Sequence, residues 1–429
     1  MTRGGKRALA VCAVGVLVGV TAGVLAISGS AWRSPAEAQA PSACAGSQQM
    51  AADTVMGGAA PVDLSDVTFS GPITITQGGS YTGNWESTDP AVPAVRVMTD
   101  QPVVIDGARL RSRGDVIEGS KGARLTVRNS VAEGLNPSVP GRVPGRFVVI
   151  QDAADVLVEN NAFAGTSGIR LERYVGVVGR DSFRVLRNRA LNIDGRRSTG
   201  PDFSPDDKTA ELVQFVQFVD VRGVPGIDVG WNEVRNEPGS SRVEDVISVF
   251  QSSGLVGAPI RIHDNFVGGA YPTNPGTDAY TGGGIMVGDG PAGGVAHVET
   301  VDNTVLDTTG HGIAVSAGSD VLVQDNRVLS GGRLADGTPI AGQNVGIYVL
   351  NLYQLPVFGP VEVVGNLIGW EQPRAGIRND SYLPDASTVR DNTAFAGAIT
   401  SAVLDSEYSL WRCRAGQAGV GIGAAPDGG

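Results

Sequence analysis

Three lysines, three histidines and three cysteines are all that 429 residues provide. The lysines are Lys6, Lys121 and Lys208, so lysine chemistry has few places to sit. Two of the histidines, His263 and His297, are isolated without zinc-ligand spacing and read as structural or surface groups. Aromatic residues make up 6% and charged residues 18%. Basic residues are outnumbered: the formal net charge is −11, which excludes a phosphate backbone as partner and so excludes nucleic acid. No helical period is sustained outside one N-terminal apolar run. What is abundant is glycine and proline, 61 and 24 residues, about a fifth of the chain and too much for a helical enzyme. At 41% hydrophobic the chain is still too apolar to be disordered.

Residues 1–40 carry an export signature. Arg3, Lys6 and Arg7 precede an uncharged run over residues 8–27, and Ala38-Gln39-Ala40 offers the small residues a signal peptidase needs, as does Gly29-Ser30-Ala31. The run is also long enough to remain in a bilayer. Residues 1–40 are therefore expected to be a signal peptide or an N-terminal anchor, the only route to a membrane. The protein is expected to be secreted or associated with the cell envelope, as a monomer. Beyond Ala40 the chain has 29 basic and 43 acidic residues, a charge of −14 that repels anionic polymers unless an arginine cluster or a metal ion intervenes. Cys44 and Cys413 flank all of the periodic sequence; in an oxidising compartment they can pair, although spacing alone does not decide connectivity.

Between residues 100 and 395 the same phrase returns: alternating β-branched residues, then Asn. It ends at Asn129, Asn161, Asn188, Asn232, Asn265, Asn303, Asn326, Asn366 and Asn392, at intervals of 23 to 44 residues. A second phrase, Gly-Ile followed by alternation, starts at Gly168, Gly284, Gly312, Gly346 and Gly376, with VISVF from Val246 in the same slot. Such periods with short strands predict a solenoid, each coil stacking on the next at about 4.8 Å and pointing Val, Ile and Leu inward. The Asn is expected in a tight turn, because it tolerates left-handed backbone and its amide can bond the coil above. The long intervals place insertions at residues 196–210 and 271–281, and on either side of the strand at Gly346. ITITQGGSYTGNW, residues 73–85, reads as the first coil. The expected organisation is a linker over 41–61, one repeat domain over 62–405 and a C-terminal tail over 406–429.

This pattern resembles the right-handed parallel β-helix proteins of the pectate-lyase-like superfamily. The resemblance implies an all-β, right-handed parallel β-helix with long loops on one face, and an extended groove suited to a polysaccharide or other glycan. Gly310-His311-Gly312 before an apolar strand is similar to the GHG motif of polygalacturonase-like glycoside hydrolases, where the histidine assists the acid. The Asn-Thr-Asp motif, the adjacent Asp pair and the Arg-Lys motif of those enzymes are absent here.

Aligning the Gly-Ile strands places Arg170, Ser248, Met286, Ala314, Tyr348 and Arg378 in one outward row. Two residues further come Glu172, Phe250, Gly288, Ser316, Leu350 and Asp380. Arg, Tyr and His are the groups that neutralise a uronate and move its C5 proton. The catalytic candidates are therefore His311, Asp307, Arg170 and Tyr348, with Glu172, Asp289 and Arg378 binding substrate. Glu233, Glu237, Glu244 and Asp245 form an acidic stretch, and Glu244 with Asp245 could seat calcium, unless Arg235 and Arg242 pair the charges. Trp85, Trp231, Tyr271, Tyr280, Tyr353 and Trp370 could stack on sugars or pack under loops. Val216 and Phe218, in VQFVQFVDV, are expected to meet a covering loop or a ligand. Two functions follow: cleavage of a polysaccharide by a hydrolase or lyase, or a non-catalytic, glycan-binding or structural role at the cell surface.

Overall fold

The computed structural model describes Cys44 and residues 62–279 and 282–424. The export segment, all of the 41–61 linker but Cys44, and Tyr280 lie outside them. Described strands fall into three sheets of eleven, eleven and twelve, and neighbours within each sheet are three strands apart in sequence up to the last coil. Each coil therefore contributes one strand to each sheet, and the chain is a right-handed parallel β-helix. The first coil is the expected one, with strands Ile73–Ile75, Gly79–Tyr81 and Asn84–Ser87.

Alternation makes the core. In the second sheet Ile105, Val127, Val158, Val185, Val229, Ile262, Thr300, Val323 and Val363 stand in one register column, all fully buried. Each aliphatic member contributes roughly 1.5–3 kcal/mol by leaving water. The opposite parity of that sheet carries cross-coil ion pairs such as Arg128–Asp106 at 2.8 Å and Arg261–Glu299 at 3.6 Å, exposed and individually weak.

The recurring Asn forms a buried ladder at the corner between the second and third sheets. Asn265 is typical: its Nδ2 donates to Val229 O (2.8 Å) and to Asn303 Oδ1 (2.9 Å), while its Oδ1 accepts the Asn232 N–H (3.0 Å). A corner breaks the strand ladder and leaves buried N–H and C=O groups; the amide, with donor and acceptor, satisfies both. Two expectations are corrected here. The left-handed residue is the one before the ladder Asn, for example Asp264 (φ 53°) and Asp325 (φ 54°). Asn129 is such a left-handed residue, not a rung; Ser130 takes the rung, its N–H reaching Asn161 Oδ1 at 3.0 Å and its Oγ accepting from Ala108 N at 3.1 Å.

The C-terminal segment is not a tail. A helix spans Ser401–Gln417, capped by Thr400, and crosses the expected boundary at 405. Leu404, Tyr408, Trp411 and Ala415 pack on Phe266, Leu306, Leu329 and Leu367, outward residues of the third sheet. The stripe has helical spacing, but Glu407, which pairs with Arg327, interrupts its apolar character in the sequence. Beneath it, buried Glu233 accepts from Tyr408 Oη (2.9 Å) and pairs with Arg235, Arg189 and Arg412, so this acidic residue is structural. Cys413 is joined to Cys44 by a disulfide that spans 369 residues. The helix thus covers the outer face of the third sheet around Phe266, Leu306, Leu329 and Leu367.

Candidate functional site

On the first sheet Ile169, Val216, Ile247, Ile285, Ile313 and Ile347 align and point into the core. Val216 and Phe218 are thus interior residues and meet no loop or ligand. The intervening row reads Arg170, Gln217, Ser248, Met286, Ala314, Tyr348 and Tyr382. Gln217 joins it unforeseen. Arg378 does not: it lies in an antiparallel pair with Glu371, bonded to Asp380 and the Phe395 carbonyl, because Ser381 takes the place of the sixth Ile. A Cβ on Gly312 would stand 2.2 Å from Val328 and 2.7 Å from the Gly346 carbonyl. Gly284, Gly312 and Gly346, each before an aligned Ile, are thus fixed by interior crowding, and His311 is the chemically informative member of Gly310-His311-Gly312.

His311 is paired across a glycine. Asp245, Gly283 and His311 occupy one register position on three successive strands, each two residues before an aligned Ile. A Cβ on Gly283 would lie 2.1 Å from Asp245 Oδ1 and 2.4 Å from His311 Cε1, so the missing side chain is what lets the two meet. His311 Nε2 stands 3.3 Å from Asp245 Oδ1 without hydrogen-bond alignment, and both residues are 8% exposed. Burial lowers His311 to about 4 and raises Asp245, which Glu244 and Asp289 raise further. Near neutral pH the imidazole is uncharged, and burial disfavours the charged form of Asp245 as well. Glu244 is pushed up to about 7 by burial, opposed by Arg242 and reinforced by Asp289; its Oε2 accepts from Gln214 Nε2 at 2.9 Å.

Asp289 is delivered by a bulge. Register shifts after Met286 set Gly288 opposite Val315 and Asp289 opposite Phe250, so Asp289 takes the outward place that simple counting gives to Gly288. Tyr353 Oη donates to it at 2.5 Å, and burial still raises it. Ser316 Oγ and Tyr348 Oη are 2.7 Å apart, and the Tyr348 ring meets His311 edge-on at 5.5 Å. Ser248, Met286 and Ala314 form the floor between these groups.

Loops rise from both edges of this sheet. On the side where strands begin, they are laced into one wall. Arg142 donates to Pro90 O (2.8 Å), Gly141 N to Ser198 O (2.8 Å), Asn274 Nδ2 to Pro205 O (2.8 Å) and Ala341 N to Pro275 O (2.8 Å). Asp207 joins Arg242 (3.2 Å) to the Thr273 N–H (2.9 Å). On the other side stands the loop of residues 351–360 that carries Tyr353. The result is a trough along the helix axis.

Two catalytic candidates lie elsewhere. Arg170 is four strands from the His311 strand, about 19 Å away at 4.8 Å per coil, and pairs with Glu172 at 3.4 Å. One sugar ring cannot touch both. Asp307 ends a strand of the third sheet, buried, accepting from Ser330 Oγ (3.2 Å) and Gly331 N (3.3 Å), and burial pushes it up to about 7. The folded state therefore holds its proton between the ordinary carboxylate range and about 7, and the stability this gives is lost as pH rises through 7. Unfolding midpoints are expected to fall between pH 5 and 7, with a shallower fall in Asp307→Asn; His311, depressed to about 4, acts in the opposite direction only below its ordinary value near 6.5. A pH series of thermal melts on both proteins checks this, and equal slopes would refute it.

The remaining candidates have structural places. His263 sits between Asp228 (2.8 Å) and Asp264 (3.0 Å), whose bonds overcome its burial and raise it to about 9; His297 bonds Asp320 at 2.6 Å. Trp370 and Tyr271 are interior, and Trp85 is nearly so. Among the described residues no group of three or more His, Cys, Asp or Glu can hold a metal ion, and Glu244 and Asp245 face Gln214 and His311, not a shared centre.

No family model and no curated protein sequence matches the chain. Among solved structures, it is similar to the periplasmic alginate epimerase AlgG, at 12% identity over 76% of this chain and 85% of that one, with a TM-score of 0.37. It is also similar to tailspike protein 3 of bacteriophage CBA120, at 12% identity over 77% of this chain and 56% of that one, with a TM-score of 0.31.

Proposed function

We propose that the protein cleaves a polysaccharide laid along the first sheet, by acid–base catalysis at the centre of the trough. The observation that carries this reading is the Asp245–His311 pair: two groups more than nine-tenths buried and 3.3 Å apart, whose charged forms burial disfavours, with the imidazole edge-on to the Tyr348 ring of the outward row. Pairs of titratable groups with separated proton affinities are how one site supplies acid and base together. Asp245, whose charged form burial disfavours and which lies beside His311, is the proton donor to the leaving oxygen. Asp289, bonded by Tyr353 and the Gly290 N–H, is the more readily ionised carboxyl and the base. Tyr348 braces the imidazole, and Arg170 with Glu172 serves a sugar several residues along the chain.

The test is mass spectrometry of products after the chain from Pro41 is incubated with neutral and uronate polysaccharides. Shortened fragments support the reading, with an added water marking hydrolysis and a new double bond marking elimination. Polymers that are bound but intact, with the protein folded, replace it by the glycan-binding role.

A further inference from the structure

Anionic sugars need a cation at the reacting centre, and here the cations are engaged or distant. Among the described residues the cation whose field reaches Glu244 and Asp245 is Arg242, which is buried, pairs with Asp207 at 3.2 Å and donates to the Glu211 carbonyl at 2.8 Å. Arg146, partly buried, donates to the Ser167 carbonyl at 2.6 Å. Arg170 is about 19 Å from His311 by coil spacing. Against this stand three carboxyl groups, Glu244, Asp245 and Asp289, with burial and the Asp289 charge raising the proton affinity of the other two. A uronate placed there adds a further acidic group in a site of low dielectric that already disfavours negative charge.

Hydrogen-bonding capacity points the same way. Gln214 Oε1 and Gln217 Oε1 are buried acceptors without a donor in the protein, and Gln214 is fully buried. Acceptors left open by the protein suit a ligand that brings O–H donors. The floor of Ser248, Met286 and Ala314 is uncharged and small enough to admit a ring.

Resting on the reading above, we infer that the sugar at the reacting centre is uncharged, so that the chemistry is hydrolysis. Elimination requires a neutralised uronate carboxylate, and among the described residues no cationic side chain stands unengaged at this centre to provide it. In hydrolysis a water oxygen bonds to the anomeric carbon as the glycosidic C–O bond breaks; the leaving oxygen takes the Asp245 proton and the water proton passes to Asp289.

The experiment compares matched polymers on the chain from Pro41. Polygalacturonate and alginate are each offered beside their carboxyl-reduced, neutral forms, with mannan, galactan and glucan as further neutral probes, and both retention and products are measured. Expected is retention of neutral polymer at least about tenfold tighter than of its charged parent, the effect of one uncompensated like charge, with fragments that carry added water. Cleavage that favours the uronate form overturns the neutral-sugar inference and leaves the cleavage reading standing. Retention of neutral polymers without fragments does the reverse. If neither charged nor neutral polymers are retained or cut, both fail.

Discussion

Asp245→Asn is expected to lower turnover by about 10²–10⁴-fold, the contribution of a positioned proton donor, while the unfolding midpoint stays level or rises. The stability expectation follows from the same burial. Asp245 is raised because its charged form is disfavoured, so an uncharged isostere removes nothing that folding relies on. His311→Ala is expected to match it in activity, and the double variant to be little worse than either, since the two act as one unit. Gly283→Ala is the most discriminating substitution. Gly283 carries no chemistry, yet its Cβ would stand within 2.1 Å of Asp245 Oδ1 and 2.4 Å of His311 Cε1 and force the pair apart. Under the catalytic reading, Gly283→Ala loses most of the activity that Asp245→Asn loses. Turnover within a few-fold of the parent in all three, measured on whichever polymer the product screen identifies, would mean that the pair is structural.

The architecture was legible because stacking repeats itself in sequence: every coil must turn the same corner, so the same Asn phrase returns nine times and announces the fold. The site was only partly legible, for three physical reasons. Alignment of phrases tells which residues share a row but hides the 4.8 Å added by each coil, and so Arg170 was grouped with a histidine about 19 Å away. A bulge leaves no signature in alternation, and so Gly288 stood in the row where Asp289 belongs. Asp307, four residues before His311, lies beyond a corner and on another sheet, where it meets Ser330 and not the trough. One signal was present and unused. Extending the Gly-Ile phrase one residue upstream sets Asp245, Gly283 and His311 in a column, and an absent side chain between an acid and a base is a pattern that sequence alone can show.

The second large effect concerns the ladder. Asn265→Ala is expected to cost about 3 kcal/mol or more, because it strands the Asn232 N–H and the Val229 carbonyl inside the protein, each worth roughly 1–3 kcal/mol when buried without a partner, and leaves the Asn232 amide only its bond to the Val185 carbonyl. Asn129→Ala, in a residue of the same type at the end of the same phrase, is expected to cost under about 1 kcal/mol. Its amide bonds only Asp106 (2.8 Å) and Asn160 (2.8 Å) at the exposed side of the turn, with Ser130 on the rung. Denaturant melts compare the two, and amide exchange locates the loss, since a solenoid distributes stability by nearest-neighbour interfaces and need not unfold as one unit. Protection is expected to fall in the coils of Asn232, Asn265 and Asn303 first. Equal costs at the two positions would mean that the Asn recurs for its turn conformation and not for its buried amide. The structure argues against that, because the left-handed turn positions are filled by Asp, Arg, Trp and Gly as readily as by Asn, whereas the rungs from 161 to 392 are filled by Asn alone.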